Sequence, residues 1–224
     1  MISKYDDFNE TKQDIEKFLY ILQSHKKLPC TNEIKCIAKN ILFLKEYIEN
    51  DNIRYYKDYM IYDSLMLIHS LTQNSKKVFF NIYRSFIENF VRSILELEDD
   101  DRTGVRKLFE NFKKLGEDKT TNEIIYFIEG QYSEGCDFVH SNIRAGINVF
   151  TYYSDIVSSD EMNDKQIRDL IMRVLTLFKK IVELIIYTNS SKIDSIFYRN
   201  KQKLKFLIGE KNFNIFEKQL SIAC

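Results

Sequence analysis

The scarcity of turn-forming residues is the feature that most constrains the fold of this chain. Its 224 residues include only six glycines and one proline. β-Proteins depend on Gly, Pro and Asn to reach the backbone dihedral angles of their tight turns. We therefore predict an all-α fold of long helices joined by short polar loops. Hydrophobic residues at 44% and charged residues at 29% are ordinary for a globular protein and argue against wholesale disorder.

Hydrophobic residues recur at the helical period in about eight or nine segments of the chain. The predicted helices with the clearest boundaries cover 7–24, 55–71, 76–97 and 164–187. Apolar residues nearly encircle the segment 76–97, as expected for a helix at the centre of a bundle. We expect breaks at Asn74–Ser75, near Gly130 or Gly135, and at 188–191. The prediction is a single compact multi-helix bundle over 1–224, with three parts: N-terminal helices in 1–75, a central bundle in 76–188 and basic C-terminal helices in 189–224.

Charge and cysteine content narrow the cellular context. Lys+Arg and Asp+Glu both number 33, so the chain lacks a global positive field that would by itself recruit nucleic acid or an anionic membrane. The four cysteines form no CxxC pair, which predicts free thiols in a reducing cytosol rather than a zinc site. The N-terminus lacks a signal sequence, and the most apolar helix, 167–187, carries too many charges to cross a bilayer. We expect a cytoplasmic protein without a metal, a cofactor or a membrane partner.

The segment 132–153 contains the strongest candidate for chemistry, His140. Tyr132, Cys136, His140 and Arg144 follow one another at intervals of four residues, so a helix would place them along one face. An imidazole can take and give a proton near neutral pH, and an arginine one turn away can stabilise negative charge on a phosphate. The alternatives are a histidine buried and hydrogen-bonded in the core, and a Cys136 that acts as a small buried hydrophobe.

Three charged residues at intervals of four, Arg84, Glu88 and Arg92, interrupt the otherwise apolar helix 76–97. Charges in such a helix must be paired or face a cavity, because desolvating them alone costs several kcal/mol. One interpretation is a structural Arg–Glu–Arg network, and the other is an anion-binding floor opposite His140. The acidic run that follows, 96–101, lacks the spacing of a calcium loop and is interpreted as a solvated loop.

The helix YRSFIENFVR at 83–92, followed by a helix that ends in FVHS at 138–141, resembles bacterial HEPN-type proteins (higher eukaryotes and prokaryotes nucleotide-binding). The resemblance implies an α-helical bundle, often dimeric, in toxin–antitoxin, abortive-infection and other phage-defence systems. Many members are metal-independent endoribonucleases in which an Arg and a His on one helix act on the scissile phosphate, frequently from both subunits. The usual motif places the arginine shortly before the histidine, whereas here Arg144 follows His140. The arginine would therefore come in space from Arg144, Arg84 or Arg92, or the chain would be a catalytically silent relative.

Two functions follow from these patterns. In the first, a HEPN-like endoribonuclease, His140 is the general acid and base, Arg144 and Arg84 stabilise the phosphorane, and Glu88 orients an arginine. Its substrate-binding residues are Arg92, Tyr132 and Ser141. The alternative is a non-catalytic interaction or regulatory protein that binds a protein or nucleotide partner, in which the same groups form a buried network. A His140 that opens to a cleft beside an arginine favours the first, and an enclosed one favours the second. RNA, a nucleotide or a protein is the expected partner, in a chain that forms a homodimer.

Overall fold

The computed structural model describes residues 5–49, 55–140 and 160–223, which form eight α-helices. These are α1 (Tyr5–His25), α2 (Thr31–Ile48), α3 (Tyr55–Thr72), α4 (Lys76–Ile94), α5 (Val105–Phe112), α6 (Lys119–His140), α7 (Asp164–Ile196) and α8 (Lys201–Ala223). A 3-10 turn, Lys113–Leu115, follows α5. Within these described ranges there is no β-strand, and the predicted all-α bundle is confirmed. In the same ranges, no helix is both long and apolar enough to cross a membrane.

Helix α4 lies at the centre of the bundle, where it packs against α3, α5 and α6. Helix α7 packs against α2, α6 and α8, and α1 lies on α2. The rings that α4 sends into the core are almost fully buried: Phe79, Tyr83, Phe86 and Phe90. Phe86 stacks on Phe178 of α7 with ring centroids 4.9 Å apart. The apolar residues around the circumference of α4 are therefore explained by neighbours on several sides.

The start of α4 is held by two caps, one local and one distant. Asn74 has a positive φ of 60° and closes α3, and the Ser75 hydroxyl accepts a hydrogen bond from the backbone amide of Val78. Asp160 supplies the distant cap, because its carboxylate accepts from the Ser75 hydroxyl at 2.6 Å and from the Lys77 amide at 2.7 Å. The break predicted at Asn74–Ser75 thus coincides with the boundary between α3 and α4.

Helices α4 and α6 lie side by side and run in opposite directions. Phe80 of α4 stacks on Phe138 of α6 at 3.9 Å, while Arg84, one turn further along α4, lies beside Gly135, one turn earlier in α6. A Cβ on Gly135 would lie 3.3 Å from the Cγ of Arg84. The sequence predicted a break near Gly130 or Gly135, but α6 continues through both. The missing side chain of Gly135 lets the two helices approach closely, and this glycine does not end α6.

Helix α7 was expected to end near Tyr187 but continues to Ile196 through a kink. Asn189 has φ −140° and ψ 35°, which is not a helical conformation. The polar run 188–191 therefore disturbs the helix, as the sequence predicted, without ending it. Ser190 and Ile193, beyond the kink, are buried, and their packing keeps the chain helical.

Candidate functional site

Four residues of the predicted site region meet where α4 packs on α6, and we call them the seam cluster: Arg84, Glu88, Tyr132 and Cys136. The guanidinium carbon of Arg84 lies 5.7 Å from the centroid of the Tyr132 ring, within the range of a cation–π contact. Cys136 and Glu88 lie close enough to the Tyr132 hydroxyl to raise its pKa. The seam thus gathers a cation, a carboxylate, a phenol and a thiol.

The spacing of these residues explains why they share one seam. Arg84 and Glu88 are four residues apart on α4, and Tyr132 and Cys136 are four apart on α6, so each pair projects from one helix face. Tyr132 is 7% exposed, whereas the other three side chains are half-buried. The cluster therefore lies at the edge of the core.

The Tyr132 hydroxyl stays protonated at neutral pH. Burial, followed by the negative charge that Cys136 and Glu88 can carry, raises its pKa to about 12. Arg84 acts in the opposite direction and lowers the pKa. A phenol in this state donates a hydrogen bond and does not act as a base near neutral pH.

Arg92, the third member of the charged series on α4, is occupied by internal contacts. Its Nε and Nη2 donate to the Glu88 carboxylate at 3.2 and 3.0 Å, its Nη1 donates to Asp101 at 3.2 Å, and its Nη2 donates to the Thr103 carbonyl at 2.8 Å. Four of the five N–H donors of this buried guanidinium are therefore used. These contacts favour the structural interpretation of Arg92 over a role in substrate binding.

The same contacts fix the acidic run 96–101 against α4. Asp101 accepts hydrogen bonds from the Thr103 backbone amide at 2.9 Å and from the Thr103 hydroxyl at 3.0 Å. The hydrogen bond from the Thr103 backbone amide is the main cause that holds the pKa of Asp101 below its usual value, and the positive charge of Arg92 acts in the same direction. The Tyr56 hydroxyl donates to the Asp101 carbonyl at 2.6 Å. The run was interpreted as a solvated loop, and Asp101 is an exception because it is tied to α3 and α4.

Three residues of the sequence-predicted site are described only in part or not at all. Residue 140 is the last described residue of α6, so its backbone belongs to the helix that carries Tyr132 and Cys136. The side chain of His140, and the whole of Ser141 and Arg144, lie outside the described residues. Their roles stay predictions. The structure does establish that the helix carrying Arg84 packs on the helix that includes residue 140.

A second polar cluster, which the sequence did not predict, lies on the other flank of α6. Arg173 of α7 pairs with Glu134 at 2.5 Å and donates to the Gln131 side-chain oxygen at 3.2 Å. That oxygen also accepts from the hydroxyl of the fully buried Tyr83 at 2.8 Å. The hydrogen bond from Arg173 lowers the pKa of Glu134, and burial raises the pKa of Tyr83. The only local signal was the spacing of Gln131 and Glu134, since Arg173 is far away in sequence.

A cleft of about 530 Å³ lies away from the seam. It forms where the C-terminal ends of α2 and α4, the N-terminal ends of α3 and α6, and the kink of α7 come together. Apolar side chains such as Phe90 and Ile185 and polar ones such as Lys57, Thr121 and Asn189 line it. Its volume is that of a small-molecule pocket. None of the described residues predicted as site residues lines it.

Neither a metal-binding cluster nor a similar protein helps to identify the function of the seam. Within the part of the chain that the structure describes, no group of three or more His, Cys, Asp or Glu side chains is placed to hold a metal ion. Comparison of the chain with protein-family models, curated proteins and solved structures finds no match. The resemblance to HEPN-type proteins therefore stays a prediction from the sequence.

Proposed function

We propose that the chain is a HEPN-like protein of a phage-defence or toxin type that cleaves RNA at the α4–α6 seam without a metal ion. One observation carries the proposal: Arg84 of α4 lies over Tyr132 of α6, the helix that also includes residue 140. A phosphate-binding cation and the predicted acid and base are thus assigned to two helices that touch each other. The specific cleavage mechanism and the biological setting come from the resemblance.

RNA can be cleaved by its own 2′-hydroxyl, which attacks the adjacent phosphorus and expels the 5′-oxygen of the next nucleotide. One proton must leave the 2′-hydroxyl and another must reach the departing oxygen, and His140 is assigned to these transfers. Negative charge grows on the non-bridging oxygens of the phosphorane, and Arg84 is assigned to stabilise it. Arg144 is the second cation assigned to this charge. The Tyr132 phenol, which remains protonated, is assigned to donate a hydrogen bond to the phosphate.

The position of Arg84 supports its assignment to the phosphate. Arg84 lies beside Tyr132 and Gly135, on the pair of helices that also carries His140. Arg92 lies two turns further along α4, where its donors bind Glu88, Asp101 and the Thr103 carbonyl. A guanidinium matches the oxygens of a phosphate, and Arg84 is assigned to this role because of its place at the seam.

The test compares purified wild-type chain with His140→Ala and Arg84→Ala in the cleavage of labelled total RNA in EDTA. Loss of a general acid and base should slow cleavage by about 10²–10⁴-fold. Loss of the charge-stabilising arginine should slow it by about 10²–10³-fold. His25→Ala and Arg106→Ala are matched controls, because both side chains are exposed and neither belongs to the seam cluster. Circular dichroism and thermal melting establish that every variant is folded.

Three outcomes would contradict the ribonuclease proposal. The wild-type chain could leave the RNA intact, the His140→Ala variant could retain full activity, or the two control variants could lose as much activity as the site variants. The last result would point to a contaminating nuclease whose amount varies between preparations.

A non-catalytic role in binding a nucleotide-sized molecule is the second candidate, and the cleft of about 530 Å³ favours it. A ligand at 100 times its dissociation constant stabilises a protein by about 2.7 kcal/mol. Thermal melts with a panel of nucleotides should then show a rise in melting temperature. Gln219→Trp, which places a larger side chain at the cleft wall, should abolish that rise. An unchanged melt in every nucleotide would contradict this candidate.

A further inference from the structure

Helix α3 exposes a continuous row of large hydrophobic side chains, which we call the tyrosine strip: Tyr55, Tyr59, Tyr62 and Leu65. Their exposed fractions are 48%, 47%, 59% and 44%. Single exposed hydrophobic residues are ordinary, but neighbours along one helix form a patch that marks an interaction surface. The rings of Tyr55 and Tyr59 pack against each other at 4.7 Å. At the helical rise of 1.5 Å per residue, the strip is about 15 Å long.

One end of the strip opens into an apolar crevice. Leu65 lines this crevice together with Ile15 and Phe18 of α1 and Ile41 of α2. Its volume is about 90 Å³, and hydrophobic side chains form most of its wall. The crevice has room for one apolar side chain of a partner, the kind of anchor that dominates the energetics of protein interfaces.

The other end of the strip lies beside exposed carboxylates. The backbone amide of Tyr55 donates to the Asp99 carboxylate at 3.0 Å, which brings the acidic run to the first turn of α3. Glu98 and Asp100, the neighbours of Asp99, are exposed. Because Arg92 anchors this run to α4 through Asp101, the carboxylates have a defined position beside the tyrosines.

We propose that the tyrosine strip and the acidic run together form a docking surface for a basic amphipathic segment of another protein. The carboxylates attract Lys or Arg at one end, the tyrosines contact the segment along its length, and the crevice accepts an apolar side chain at the other end. A strip about 15 Å long matches roughly ten residues of a partner helix. RNA is disfavoured here, since clustered carboxylates repel its phosphates.

The test measures the fluorescence anisotropy of three labelled probes with the full chain at physiological salt. The probes are an amphipathic Leu–Lys peptide of about fourteen residues, or four helical turns, a Leu–Glu peptide of the same pattern, and single-stranded oligouridine. The Leu–Lys peptide should bind, and the other two should not. Tyr59→Ser with Tyr62→Ser should weaken this binding by about tenfold or more, and so should Glu98→Lys with Asp100→Lys.

The matched control is Tyr20→Ser with Tyr198→Ser, which removes two tyrosines that are 76% and 70% exposed on other helices or loops. It should leave peptide binding unchanged. Equal effects of the control and the strip variants would overturn the proposal, as would failure of the Leu–Lys peptide to bind. Binding of oligouridine that the Tyr59 and Tyr62 substitutions abolish would also overturn it and assign the strip to RNA. None of these outcomes depends on RNA cleavage at the seam.

Discussion

Replacing Arg92 with methionine tests whether this side chain holds the centre of the bundle together. Methionine keeps most of the apolar stem but removes every N–H donor, so the Glu88 carboxylate and the Thr103 carbonyl lose their partner. Breaking a fully buried ion pair costs about 3–5 kcal/mol. Glu88 is 26% exposed, so water recovers part of that loss, and we expect the free energy of unfolding to fall by about 2–3 kcal/mol. For a chain of this size the melting temperature should fall by about 4–12 °C.

The assay is unfolding in urea, monitored by circular dichroism, with Arg106→Met as the matched control. Arg106 also pairs with a glutamate one helical turn away, Glu110, but its side chain is 95% exposed, so the control should stay within about 0.5 kcal/mol of wild type. The double variant Arg92→Met with Glu88→Gln should lose less than the sum of the single losses, because the two side chains interact directly. An Arg92→Met variant as stable as the Arg106 control, or strictly additive losses, would refute the reasoning.

Three further predictions concern other parts of the structure. Gly130 is at an exposed helical position where an added Cβ meets nothing, so Gly130→Ala should raise the free energy of unfolding by about 0.5–1 kcal/mol. Gly209 has a φ of 81°, so Gly209→Ala should lower it by about 1–2 kcal/mol. Equal effects of the two substitutions in urea titrations would contradict this. Tyr83→Phe removes the donor to Gln131 and should cost about 1 kcal/mol in the same titrations, and no loss would argue against that hydrogen bond. A backbone hydrogen bond holds the pKa of Asp118 below its usual value of about 3.9, so its stabilisation is complete above that pH and lost as the pH falls through the lower folded pKa. Asp118→Asn should therefore lose less stability than wild type in melts between about pH 5 and 2, and identical pH profiles would contradict this.

Local sequence patterns predicted the helices well because the signals that start a helix lie within a few residues of it. Ser75, at the predicted break between α3 and α4, caps α4, and Asn163 forms a capping box with Gln166 at the start of α7. The break predicted near Gly130 or Gly135 was wrong, because the low helix propensity of glycine is visible in the sequence and the close approach of α4 to Gly135 is not. The polar run 188–191 was predicted to break the helix, but it holds only a kink at Asn189, because the buried residues beyond it keep the chain helical.

The candidate site was predictable only in part. The spacing of Arg84 with Glu88, and of Tyr132 with Cys136, shows which residues share a helix face. That the two faces meet is a tertiary contact, which no spacing within either helix encodes. The partnership of Arg173 with Glu134 is of the same kind, because the two residues lie on different helices. Patterns within one helix therefore identify candidate side chains, and packing between helices decides which of them become neighbours.

The distant cap on α4 has a consequence for the order in which the chain folds. Asp160 lies 83 and 85 residues beyond the two groups that it accepts from, Lys77 and Ser75. Closing a flexible loop of this length costs about 4 kcal/mol of chain entropy, whereas the bond from the Val78 amide to Ser75 forms together with the helix. The first turn of α4 should therefore reach its full stability late in folding. In pulsed hydrogen exchange, the Lys77 amide should gain protection after the amides in the middle of the same helix.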